Sequence, residues 1–409
     1  MKSFVLLALV PWMCSAASSS TPPERVSMSS AVHSDEHAQT VGAAYLMTNE
    51  PTGNYLVSAT ITSDGKLSLY EAVYTEGKGA HGLPAPPGLD PLFSQGSVGV
   101  SMSGNFVANV NAGSNTVTVF GIDGHNPGRL SMIGKPVSSG GEFPSSLAIN
   151  KAGNRVCVVN GGKINGVSCY AFDARKGLTP LKNSIRSLHL NQTTPATGPP
   201  STPGQIIFSP DEKQLIVSVK AAFLAIWDIN PDGSLSPNFR SVSGGVLPFA
   251  LIFVPGQNAI VAADPGVGYD VFNLDTKAQS AAATAAVTVP GQKAICWNVY
   301  SEESGNFYMV DVGGSVVTEV HVAGSLNSTI VRQYSLGTDG PIDSAVATIG
   351  KNDYIYALAA NATGVTVLSV NGPGKAQVNQ RLDIAGPAKA HNLPIHAMNL
   401  QGMATFIRK

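Results

Sequence analysis

Short apolar stretches, many of them alternating with polar positions, recur along the chain between turns bearing Gly, Asn and Asp. Alternation rich in Val, Ile, Tyr and Phe is the pattern of half-buried strands. A larger unit repeats on top of it: apolar strand, polar turn, apolar strand, short turn, alternating strand, fourth strand. The turn after the first strand is the clearest marker. It reads Ser103-Gly104-Asn105, Ala152-Gly153-Asn154, Pro210-Asp211-Glu212, Pro255-Gly256-Gln257, Ser304-Gly305-Asn306 and Lys351-Asn352-Asp353. Between the middle residues the intervals are 49, 58, 45, 49 and 47. Four strands at this period predict propeller blades. The long interval holds a Thr/Pro-rich insert, His189 to Pro203.

Six units are complete and a seventh is split. Ala43–Asn49, Asn54–Thr62 and Leu67–Val73 match second, third and fourth strands. Gly402–Ile407 supplies the missing first strand from the other end of the chain, which closes the ring and removes its open edges. The expected fold is an all-β seven-bladed propeller of four-stranded antiparallel blades over residues 41–409.

The register also orients the ring. Connections from fourth to first strands and from second to third strands share one face, the mouth of the central channel. Candidate ligand-binding residues there are Glu142, Ser145 and Gln205 at first-strand starts, and Lys220, Asp264 and Asp311 at second-strand ends. With Asn49, Asn111 and Asn160 they form a ring of amides, one cation and two carboxylates suited to a polar ligand. The alternative reading of each is a turn residue satisfying backbone groups.

Composition adds a location. Lys2, the apolar run Phe4 to Val10 and Cys14-Ser15-Ala16-Ala17 read as a signal peptide over residues 1–17. Residues 18–40 read as a disordered leader. The protein is expected to be secreted and extracellular, or held at the cell wall, with no membrane span or lipid anchor. A formal net charge of −1 gives no ground for nucleic-acid binding. Cys157 and Cys169 face each other across a hairpin centred on residues 161–165, which predicts a disulfide in an oxidising compartment. Cys296 is left as a buried thiol. Sequons at Asn191, Asn327 and Asn361 fall in or beside loops and suit a glycoprotein.

Two motifs that spell chemistry fail on context. Gly77-x-Gly79-x-x-Gly82 matches a dinucleotide fingerprint but runs into Leu83-Pro84-Ala85-Pro86-Pro87, which opens no helix. It reads as a flexible loop over the mouth. His33-Ser34-Asp35-Glu36-His37 spells a zinc motif, but inside the leader. No metal or cofactor is expected. No nucleophile stands with an evident base.

The units resemble the lactonase family of seven-bladed propellers, which includes 6-phosphogluconolactonases and carboxy-cis,cis-muconate cyclases. The likeness spans nearly all of residues 41–409. Phe93-Ser94-Gln95-Gly96, Asn111-Ala112-Gly113-Ser114-Asn115, Gly141-Glu142-Phe143-Pro144, Leu190-Asn191-Gln192-Thr193-Thr194-Pro195 and Leu400-Gln401-Gly402-Met403-Ala404 look most like its secreted fungal branch. The resemblance implies a catalytic His after the Pro that opens one blade, and an Arg that reads a substrate carboxylate in the next. Here those positions read Pro203-Gly204 and Pro248-Phe249-Ala250. An Asp-Leu-Gly run of the enzymes is replaced by Lys220-Ala221-Ala222. A cycloisomerase needs a proton donor and a cation. Lys220 offers a cation, and nothing replaces the His.

The expectation is therefore a monomeric propeller that binds a small organic acid, a lactone or a glycan at the mouth, with the family reaction lost and the catalytic residues unknown. The alternatives are an active cycloisomerase or lactonase with a rearranged site, and an adhesin or antigen at a host or cell-wall surface.

Overall fold

The computed structural model describes residues 23–29, 39–83, 88–275, 284–337 and 339–408. They form seven antiparallel sheets, each a blade, and in all but the first the strands follow chain order from the channel outward. The signal-peptide segment and the His33–His37 motif lie outside the described residues.

The split blade closes as the repeat predicts. The inner strand Gln401–Ile407 pairs with Thr40–Met47, setting Ala43 opposite Phe406 and Tyr45 opposite Ala404. The expected leader is corrected over one stretch: Arg25–Ser27 is a fifth, outermost strand of this blade, paired with Leu67–Tyr74. Arg25 holds it there by bonding the buried Glu71 and donating to Leu130 O at 2.7 Å in the next blade.

The core lies between blades. Second and third strands bury nearly every side chain, because each sheet covers both faces with its neighbours. Phe106 and Phe172, for example, stack at 3.8 Å across the junction of two blades. In the third blade Cys157 and Cys169 pair directly across the hairpin of Arg155–Asn160 and Gly166–Asp173 and form the expected disulfide. Cys296 is free and buried.

Five inner strands carry a register irregularity near their channel-mouth ends. They are at Ser145, at Gly204–Gln205, at Cys296, at Asp343 and at Gly402–Met403, in the third, fourth, sixth, seventh and first blades. Bulges re-aim side chains and free backbone groups from the ladder. What they are aimed at is the chain itself.

Candidate functional site

The connection from the first blade to the second does not stay on the rim. Residues 90–97 run across the channel mouth and bond to the five blades whose inner strands are irregular. Ser94 Oγ donates to Ser145 O at 2.7 Å, and Ser146 Oγ donates to Gln95 O at 2.6 Å. Gln95 N donates to Gly204 O at 3.0 Å, and its side chain exchanges two bonds with the backbone of Asn298. Trp297 Nε1 and Gln401 Nε2 both donate to Ser94 O. Gly96 N reaches Asp343 Oδ1 at 3.4 Å. This segment plugs the axis of the ring.

Lys220 is committed to the plug. Its Nζ donates to Phe93 O at 2.7 Å and to Pro203 O at 2.8 Å, and it sits 4.4 Å above the ring of Phe249. Only 1% of the residue is exposed. Burial pushes its ammonium down, and the charge of Asp90, in the plug, opposes that. Burial in turn pushes the Asp90 carboxyl up against the pull of Lys220. Two buried groups of opposite sign thus depend on one another.

Asp343 is the third charged group at the axis. It accepts from Gly402 N and Gln401 Nε2, each at 2.8 Å, and its φ of 30° is unusual for a side chain other than Gly. Burial raises its carboxyl to about 7, although those donors favour the charged form. Cys296 lies within the fields of Asp90, Lys220, Asp264 and Asp311, and burial pushes its thiol up.

The other sequence candidates are tied to their own connections. Asp264 accepts from Val246 N, Leu247 N and Gly266 N at 2.7–3.0 Å. Asp311 accepts from Lys293 N, Ala294 N and Gly314 N at 2.8–2.9 Å. Asn49, Asn111 and Asn160 likewise bond neighbouring loops and strands. Gln205 Oε1 accepts from Leu251 N at 2.5 Å, and Ser145 is buried beside the plug. Glu142 alone stands outward, bonded to Thr194 of the insert. Asp90, Asp343 and the plug were absent from the sequence reading. Asp343 was findable, since it follows Pro341-Ile342 in the inner strand that begins the last full unit.

Gly204 leaves no room for a side chain. A Cβ on Gly204 would stand 2.6 Å from Phe249 O and 2.7 Å from Ser218 Oγ, which are bonded to each other. The glycine loop is also explained by close approach. A Cβ at Gly79 would meet the Asn49 carbonyl at 1.9 Å, and Cβ atoms at Gly82 and Gly198 would meet the Phe93 ring at 2.3 and 2.6 Å. This corrects the flexible loop: Gly79 N bonds Glu50 O, Gly82 N bonds Pro91 O, and Leu83 bonds Ala196 and Gly198 of the insert.

A smaller cavity opens on the rim of the third blade. It encloses about 300 Å³ and is lined by Asn160, Lys163, Ile164, Asn165, Ile185 and Arg186, among others. Ile164 and Ile185 are 58% and 63% exposed, and Glu142 N bonds Ile164 O beside it. The disulfide braces the hairpin that presents Lys163 and Ile164.

A buried carboxyl pair gives the fifth blade a pH dependence. Among the described residues neither oxygen of Asp270 meets a hydrogen-bond donor, and both Asp264 and Asp270 come close to Gly245. The oxygens of Asp264 are already taken by N–H groups. The stable arrangement is therefore a protonated Asp270 donating to Asp264. Burial and Asp264 raise Asp270 to about 9. A carboxyl raised in the folded state favours folding while protonated, so stability falls as pH climbs from the unfolded value near 4 toward about 9. One proton corresponds to about 1.4 kcal/mol per pH unit in that window. Denaturant titrations at pH 5 to 8 are expected to show this decline, and Asp270→Asn to reduce the slope by one proton. An unchanged slope would refute the shared proton.

The fold and site together define a seven-bladed propeller whose channel mouth is filled by its own chain. The family model described as "Lactonase, 7-bladed beta-propeller" matches residues 32–190. No curated protein matches the chain. Among solved structures, the periplasmic gluconolactonase of Pseudomonas aeruginosa superposes with a TM-score of 0.66 at 15% identity, covering 91% of this chain and 100% of that one. A candidate 6-phosphogluconolactonase of Bacteroides fragilis gives 0.61 at 15%, covering 91% and 99%. One from Bacteroides uniformis gives 0.60 at 18%, covering 85% and 98%. At these identities the likeness is one of fold.

Proposed function

We infer that this is a secreted, lactonase-type propeller that has given up chemistry at the channel mouth and binds a small acidic ligand or a glycan at its rim. One observation carries the reading: the plug 90–97 fills the mouth and takes up Lys220, while Gly204 has no room for a catalytic side chain. One place open to a ligand is the outward cavity near Glu142, where Lys163 and Arg186 supply positive charge and Ile164 and Ile185 an apolar wall. Its volume of about 300 Å³ is at the small end for ligand sites and suits one sugar or organic acid. The disulfide and the exposed sequons Asn191, Asn327 and Asn361 support secretion.

The test pairs two assays. Purified protein is offered lactones and muconates, and organic acids and glycans are titrated by calorimetry. The expected result is no turnover above blank, with binding weakened at least tenfold by Lys163→Glu. Turnover abolished by Asp343→Asn would instead support a rearranged enzyme. That second reading draws on the raised carboxyl of Asp343, on the amide of Gln401 that bonds it, and on Ser145 Oγ beside the plug, with Gln401 Oε1 and Ser145 Oγ both buried without a hydrogen-bond partner among the described residues.

A further inference from the structure

The outer walls of the blades are unequal. Most outermost strands span two to five residues, as in Leu130–Met132 or Arg240–Ser243. Two run for eight, Leu67–Tyr74 and Ser328–Ser335. The first is covered by Arg25–Ser27. The second, in the sixth blade, pairs on one side only among the described residues, with Val316–Val322. The seventh blade's outer strand is nearly as long but reads Gln-Val-Asn-Gln-Arg-Leu-Asp, a polar edge.

Ser328–Ser335 reads Ser-Thr-Ile-Val-Arg-Gln-Tyr-Ser, with Ile330 37% and Val331 40% exposed. A long uncovered edge with β-branched apolar residues is a template for pairing with another copy. Two guards are already present. Val331 is an extra residue at a bulge, since Glu319 pairs with Arg332 and Val320 with Ile330. Arg332 adds a charge and donates to Gly374 O. Neither covers Thr329 or Ile330, both exposed. The residue before the strand is Asn327, exposed, at the head of the sequon Asn327-Ser328-Thr329. Ile330 lies three residues along, about 10 Å of strand.

We propose that Asn327 carries an N-linked glycan that shields the outer edge of the sixth blade and keeps the protein monomeric. The proposal rests on the secretion reading above. The modification moves an oligosaccharide from a polyprenyl diphosphate donor. The bond from Asn327 Nδ2 to the anomeric carbon forms, the bond from that carbon to the diphosphate oxygen breaks, and one amide proton passes to the transferase's base. Diphosphate-bearing lipid is the leaving group.

The test expresses the full chain through a eukaryotic secretory host and maps the sites by the Asn-to-Asp mark that glycosidase release leaves. Glycan at Asn327 is expected, with a monomer by light scattering. Asn327→Gln and Thr329→Ala, which both abolish the sequon, are each expected to shift the protein toward dimer as concentration rises. Adding Ile330→Lys to either should restore the monomer. Glycan at Asn191 or Asn361 with none at Asn327 overturns the proposal alone. No glycan anywhere overturns the secretion reading with it. A glycosylated Asn327 whose loss leaves a monomer at every concentration overturns the shielding role.

Discussion

Removal of residues 401–409 is expected to leave no cooperatively folded protein. The strand Gln401–Ile407 is the inner wall of the first blade, and Met403, Ala404 and Phe406 are buried in it. Its loss exposes the whole edge of Thr40–Met47 and takes away the bonds from Gln401 to Ser94 and Asp343 and from Thr405 to Val346. A large apolar side chain buried is worth about 1.5–3 kcal/mol, against a total stability of about 5–15 kcal/mol. Size-exclusion chromatography and thermal melts check the outcome. A truncated chain with a cooperative melt near that of the full protein would mean the ring does not need this strand. Phe406→Ala is the graded version, with a cost of about 3–5 kcal/mol.

Lys220→Met is expected to cost about 1–3 kcal/mol, because the buried Asp90 carboxyl loses the charge that offsets its desolvation and buried carbonyls lose their donor. It also removes the donor to Phe93 O and Pro203 O. Asp90→Asn should likewise be destabilising alone. The double variant should lose far less than the sum, since no uncompensated charge remains, and denaturant midpoints read this as a double-mutant cycle. Strict additivity would show that the two groups are energetically independent and that the plug is held by its backbone bonds alone.

The sequence disclosed what is periodic. Turns such as Ser103-Gly104-Asn105 fixed the blade count, and the pairing of Asn160 with Gly166 placed Cys157 opposite Cys169, as observed. The closing strand was legible because its partners were missing from the repeat. The site was less legible because it depends on contacts between residues far apart in the chain. Nothing local in Asp90 or Phe93-Ser94-Gln95 says that they cross the axis, since their partners begin at Ser145 and end at Gln401. The same ignorance made Lys220, Asp264 and Asp311 look available, when a plug and loop amides already satisfied them. Arg25–Ser27 was missed for the opposite reason: three residues carry too little pattern to register as a strand.

The plug has a consequence for assembly. Ser94 emerges after only one partial blade, yet its carbonyl bonds Trp297, 203 residues later, and Gln401, 307 residues later. A ring of this kind cannot be completed first and filled afterwards, because the filler is its own first connection between blades. The early segment acts as a mandrel around which later blades must be wound. Contacts of such long sequence separation slow folding, as loop-closure entropy comes before their reward. The order of synthesis and the order of closure are thereby coupled, and a circularly permuted chain that delivers residues 90–97 last would have to thread them into a ring already shut.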